Sequence, residues 1–223
     1  MRIFGLFLIL TMHVGMYGQN HPKIVFSPQF KGEKLCLDHT YSSNDSVTIV
    51  LHKLKFYLSD ISVYSGSNVW RDTMRYRLMN LEDSASFSIP YALNNATSIS
   101  FHIGLDSATN VSGKIDGALD PIHGMYWTWN SGYVNFKLEG TFTEKTIHHK
   151  EFEYHLGGYL YPFQTIQYVS LPVESPEAIK VVIDIATFLN AVDWKEEQNV
   201  TVTGIKAKQL SRLLPGMFKL ETP

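Results

Sequence analysis

Cysteine is all but absent: Cys36 is the only one in 223 residues. A single thiol excludes an intrachain disulfide framework, so stability must come from a core and a hydrogen-bond ladder. Paired-thiolate zinc motifs are excluded as well. That leaves Cys36 as either a soft metal ligand or a small buried apolar residue near a strand end. An excess of charge of one sign is also missing. The 19 basic and 21 acidic side chains nearly balance, and no long basic run occurs, which argues against nucleic acid as the main partner. The chain has no nucleophile elbow, P-loop, dinucleotide fingerprint or His-Glu-x-x-His helix. Its acidic residues are dispersed and form no obvious acid/base pair, so the expectation is a binding protein and not an enzyme.

Long apolar runs are confined to the N-terminus. Arg2 followed by the apolar stretch Ile3 to Met12 reads as a secretory signal, too short to span a bilayer. Cleavage is expected near Gly18, giving a signal peptide over 1–18 and one domain over 19–223. No cysteine follows the apolar stretch directly, so a lipoprotein anchor is not indicated. The expectation is a periplasmic or secreted protein with no membrane span in its mature chain.

What is present is aromatic and alternating. Phe, Trp and Tyr make up 13% of the chain, which favours strands over helices. Val47, Ile49 and Leu51 alternate, then Leu54, Phe56 and Leu58 alternate in the opposite phase, which predicts a bulge near His52 and Lys53. Ile99, Phe101, Ile103 and Leu105 mark a half-buried strand, and Ile179, Val181, Ile183 and Ile185 another. Asp106 to Pro121 reads as a long loop, of the kind that is often functional. Short helical patterns are expected only at Thr187 to Val192 and in the tail, around Leu210, Leu213 and Leu214, before Pro215-Gly216. The fold class is all-β: a single antiparallel β-sandwich or barrel-like domain with long loops and little helix.

Two features carry candidate chemistry. One is the run Gly124 to Gly140, where Tyr126, Trp127, Trp129 and Tyr133 lie close together. Trp127 and Trp129 share parity. They suit a core anchor, a stacking platform for sugars, or a shield around a metal. The other is histidine. His102 and His155 each sit on the polar side of a strand and each precede a glycine by two residues. His52 lies at the inferred bulge, a further possible ligand position. Imidazole suits copper and zinc, and Met125 and Cys36 would add soft donors for Cu(I). Calcium at the Asp106 to Asp120 loop has no EF-hand spacing behind it.

Four segments together resemble the MbnP-like periplasmic copper-binding proteins, the methanobactin-associated family. They are Lys55-Phe56-Tyr57-Leu58-Ser59-Asp60-Ile61, Phe101-His102-Ile103-Gly104-Leu105-Asp106, the Gly124 to Gly140 run, and Phe152-Glu153-Tyr154-His155-Leu156-Gly157-Gly158. Their order and spacing match over roughly residues 22 to 190. The resemblance implies a secreted β-rich domain that binds copper through histidines and an oxidised tryptophan, kynurenine, installed by a di-haem cytochrome c peroxidase-like partner. On that basis His155 is the first metal ligand, His102 the second and His52 a third candidate. Trp127 and Trp129 are the candidate modified residues that would also wall the site, with Trp70 outside the motif. The competing reading is a carbohydrate- or surface-ligand-binding β-sandwich that uses Tyr126, Trp127, Trp129 and Tyr133 as its platform.

Overall fold

The computed structural model describes residues 22–43, 47–127, 132–144, 147–174, 178–193 and 197–221. The expected signal segment 1–18 and Trp129 lie outside the described residues. In chain order the strands are β1 (Lys23–Phe30), β2 (Glu33–Lys34), β3 (Thr40–Ser42), β4 (Val47–Ser65), β5 (Asn68–Arg71), β6 (Tyr76–Asn80), β7 (Ser88–Pro90), β8 (Ser98–Ile103), β9 (Tyr126–Trp127), β10 (Gly132–Glu144), β11 (Ile147–Gly157), β12 (Gln167–Pro172), β13 (Ile179–Asp184), β14 (Asn199–Val200) and β15 (Phe218–Leu220). Three short helices join them: α1 (Ser107–Val111), α2 (Ile185–Ala191) and α3 (Ile205–Ser211).

Two sheets result, and the chain is all-β. The larger runs β12-β8-β4-β10-β11-β14, with β3, β5 and β6 also on β4 and β9 on β10. The smaller runs β15-β13-β1-β2, with β7 also on β1. Among the described residues all pairings are antiparallel except two: β1 with β13 and β11 with β14. The predominantly antiparallel, all-β arrangement is the one expected, with these two parallel pairs inside it. They arise because β1 and β14 reach their partners by long crossovers and not by hairpins.

Strand β4 organises the large sheet. Ile49, Leu51, Leu54, Phe56 and Leu58 all point into the space between the sheets. The phase change appears where it was expected: Lys53 faces Glu139 and Leu51 faces Gly140, so His52 is the extra residue of a bulge. The main core is rich in aromatic edge contacts, such as Phe26 on Phe101 (ring centroids 5.6 Å apart) and Phe101 on Phe218 (5.3 Å). Each such fully buried ring contributes about 1.5–3 kcal/mol. The expected helical patterns become α2 and α3, which bury Phe188, Leu189, Ala207 and Leu210 against this core. Among the described residues no helix is long and apolar enough to cross a membrane.

A second, smaller core forms on the opposite face of the large sheet. Tyr57, Leu105, Leu119, Met125, Trp127, Tyr133 and Val134 gather there under the segment 105–127. That segment is not one open loop. Asp106 caps α1 by accepting from the backbone NH of Thr109 at 2.6 Å, and it pairs with Arg75 at 2.6 Å. Asp120 caps a short turn through the NH of Ile122 at 2.9 Å. Asp106 and Asp120 thus hold backbone in place.

Candidate metal centre

The site lies on the outer face of the large sheet, where three strands place polar side chains in cross-strand pairs. Lys53 and Lys55 stand on β4, Lys137 and Glu139 on β10, Glu153 and His155 on β11. The register sets Lys55, Lys137 and His155 in one row, and Lys53, Glu139 and Glu153 in the next. Glu139 is the hub. Its Oε2 accepts from Lys53 Nζ at 2.8 Å, its Oε1 lies 2.9 Å from His155 Nε2, and Lys137 Nζ is 3.3 Å away. The donor atoms of Glu139, Glu153 and His155 all fall within 4.8 Å of one another. Among the described residues this is the group of three or more His, Cys, Asp or Glu side chains with the geometry to hold a metal ion.

The electrostatics favour ligand-ready forms. Burial alone would raise the Glu139 carboxyl. The Lys53 hydrogen bond, the Lys137 charge and the His155 bond overcome it and bring the group down to about 2. His155, 15% exposed, is pushed below its ordinary value by burial first and the Lys137 charge second, against the pull of Glu139 and Glu153. Neutral imidazole and ionised carboxylate are the forms that bind metal.

Trp127 is placed beside this cluster by a glycine. On β11, His155 and Gly157 point to the same outer face, one pleat apart. A Cβ added at Gly157 would stand 2.5 Å from the Tyr133 carbonyl oxygen and 2.7 Å from the Trp127 ring. Only a hydrogen there lets the indole lie on the sheet. Trp127, 3% exposed, pairs through β9 with Gly132. Lys137 fastens the same segment, donating from Nζ to the Gly124 carbonyl at 3.1 Å. The indole also borders a small cleft of about 100 Å3 formed with Tyr159, Leu160, Phe163 and Thr203.

The remaining candidates are dispersed. His102 faces Ser59 on β4, four residues from Lys55, a separation of about 13 Å along the strand. The His155 ring points at Glu139, away from His102. His102 Nδ1 sits 3.5 Å from Asp60 Oδ2 without forming a hydrogen bond, and its ring leans on Tyr168 with centroids 5.3 Å apart. The structure therefore does not bring His102 and His155 to one ion. His52 is exposed at the bulge and its Nδ1 bonds Asp38 Oδ1 at 2.6 Å. Trp70 packs edge-on against Tyr91, 6.0 Å between centroids, on β5. Cys36, expected as a buried residue or a ligand, is exposed and stands outside the three-donor group. Of the four rings of the sugar platform, Trp127 and Tyr133 are buried, Tyr126 is half-buried and Trp129 lies outside the described residues. The Tyr133 hydroxyl donates to the Lys114 carbonyl at 2.7 Å, with the Leu119 carbonyl also in reach at 3.1 Å. Glu139 and Glu153 were missed in the sequence, because only the β10–β11 register shows them opposite each other.

Comparison with known proteins agrees with this architecture. The MbnP family model matches residues 19–204. The chain belongs to the MbnP family. Among solved structures it is similar to MbnP from Methylosinus trichosporium, with a TM-score of 0.58 and 12% sequence identity, covering 77% of this chain and 78% of that one. At that identity the likeness to the Methylosinus trichosporium protein is one of fold. A search of curated proteins gives no match. All four sequence segments fall within the matched residues. Gly104, in the second, has a φ of +106° and leaves room for Asn135, whose Oδ1 accepts from the NH of Leu105 at 3.0 Å. Gly157, in the fourth, leaves room for Trp127.

Proposed function

We propose that this protein binds copper in the periplasm or outside the cell, without catalysis, and serves copper acquisition or delivery. His155 is the nitrogen donor, on the outer face of the large sheet and beside Trp127. The observation that carries this reading is the meeting of His155 with Glu139 and Glu153, one pleat from the glycine on which the indole lies. Membership of the MbnP family supports it. The donors fit copper chemically: imidazole suits it, and the carboxylates supply charge. His102 and His52 stand outside this centre. In this reading Trp127 or Trp129 is the residue that a di-haem cytochrome c peroxidase-like partner would oxidise to kynurenine. That change adds an aromatic amine where indole offers only a donor N–H.

Metal analysis of protein purified from its own host tests the reading. Stoichiometric copper, lost in His155→Ala, is the expected result. A metal-free protein whose melting temperature is unmoved by added copper would overturn it. Intact-mass measurement of the same sample detects kynurenine, which exchanges one tryptophan carbon for oxygen.

A further inference from the structure

We propose that Glu139 and Glu153 complete the donor set around His155, forming a one-nitrogen, two-oxygen site for a divalent ion, Cu(II) foremost, that enters by displacing Lys53 and Lys137 from Glu139. The proposal rests on the copper reading and goes beyond it by naming the other donors, the oxidation state and the groups that compete with the ion.

The geometry leads there in three steps. First, donors on one ion at about 2.0–2.2 Å stand at most about 4.4 Å apart, so atoms already within 4.8 Å need only a small contraction. Second, Glu139 and Glu153 are directly opposite each other on adjacent strands, an arrangement that costs stability unless the charge is offset. Lys53 and Lys137 offset Glu139. Glu153 has no ion pair or side-chain hydrogen bond among the described residues. Its exposed carboxylate is free to turn toward His155. Third, carboxylate oxygens are hard donors. With the His155 nitrogen they make a mixed nitrogen–oxygen set that suits Cu(II) or Zn(II), and the affinity order places Cu(II) first, whereas Cu(I) seeks soft sulfur. The only thiol, on Cys36, is elsewhere, and Met125, the other soft donor expected, is fully buried in the second core.

The lysines make this a competed site. Lys53, 34% exposed, is a flexible stem whose compact ammonium group can swing into solvent when a cation takes its place, and Lys137 can release Glu139 while keeping its bond to the Gly124 carbonyl. Removing one competitor should therefore tighten metal binding, an effect that a purely structural salt-bridge network would not produce.

The test is equilibrium titration of the purified protein with Cu(II) in air, and with Cu(I) under anaerobic reducing conditions against a competing chelator. Wild type, Glu153→Gln, Glu139→Gln, Lys53→Met and His155→Ala are compared. Both glutamine variants should weaken Cu(II) on the order of tenfold or more, while Lys53→Met strengthens it. Electron paramagnetic resonance of the Cu(II) form, taken on protein whose intact mass shows unmodified tryptophan, should show coupling to the single nitrogen of His155. Glu153 is exposed, so Glu153→Gln keeps the test valid should Glu139→Gln fail to fold. Copper binding that His155→Ala abolishes, but that both glutamine variants leave unchanged, would overturn this inference and leave the copper reading standing. Failure to bind copper in either oxidation state would overturn both.

Discussion

His102 and His155 carry the same sequence signature and meet opposite surroundings. Each is on the outer side of a strand of the large sheet, two residues before a glycine. Behind His155, Gly157 admits an indole, and ahead of it Glu139 offers a carboxylate at 2.9 Å. Behind His102, Gly104 admits the Asn135 side chain, which ties Leu105 and Thr165 together. Ahead of it Asp60 is too far for a hydrogen bond. One histidine is thus drawn into a charged, half-buried network, and the other, 34% exposed, rests on Tyr168. The signature reports a close approach of another segment to the sheet. What approaches decides whether the histidine has chemistry.

The largest effect should separate the two at once. His155→Ala should abolish copper retention, whereas His102→Ala should leave metal content unchanged in protein purified from its own host. Equal loss in both would mean that the ion bridges them after a rearrangement of β8 against β11, and the contrast would collapse. Next in size is Gly157→Ala. The added methyl has no room against backbone and ring, so about 1–3 kcal/mol of stability should be lost, read as a fall in melting temperature. Trp127 fluorescence should shift as the indole is lifted into water. A variant that melts like wild type would show that the indole does not need the glycine.

Much of the fold was legible because alternation is local. The phase change between Leu51 and Leu54 pointed to the bulge, and the pairings of Lys53 and Leu51 bear it out. The metal cluster was not legible, for a reason of register. Glu144 pairs with Ile147. Continued without interruption, that register would set Glu139 opposite Phe152, on the wrong face for a shared site. A shift between Phe142 and Glu144 moves the pairing by one residue and brings Glu139 to Glu153. Nothing in the sequence of β10 or β11 announces that shift. Cys36 misled for another reason. Its neighbour Leu35 is buried and the alternation suggested little beyond that, but the Tyr41 hydroxyl takes the Cys36 backbone NH at 2.7 Å and leaves the thiol outside.

Acid should act on the His155 network. In the metal-free protein His155 lies below its ordinary value of 6.5, so the unfolded chain binds a proton first. Stability should therefore be full above about 6.5 and fall as pH drops toward the folded value. Glu139, lowered from 4.5 to about 2, adds a second loss as pH falls through that interval. Urea melts of wild type and His155→Gln should coincide in slope at pH 8 and diverge below pH 6.5 as the first loss disappears from the variant. Parallel pH profiles would show that His155 is not held neutral by its surroundings.

The smallest effect belongs to His52, which has a partner and yet stands apart from the centre. Its contact with Asp38 is short, 2.6 Å, but both side chains are largely exposed. Water and salt screen such a pair, and its worth is about 0–1 kcal/mol. The bulge survives its loss, because the pairings of Lys53 with Glu139 and Leu51 with Gly140 set it through the backbone. His52→Ala should thus leave copper content unchanged and move the melting temperature little, less than Gly157→Ala does. Copper lost from this variant would transfer the site from the sheet face to its rim. It would also show that a carboxylate beside a histidine does not distinguish the two places. The difference would then lie in burial, which shields His155 and Glu139 from solvent and leaves His52 and Asp38 open to it.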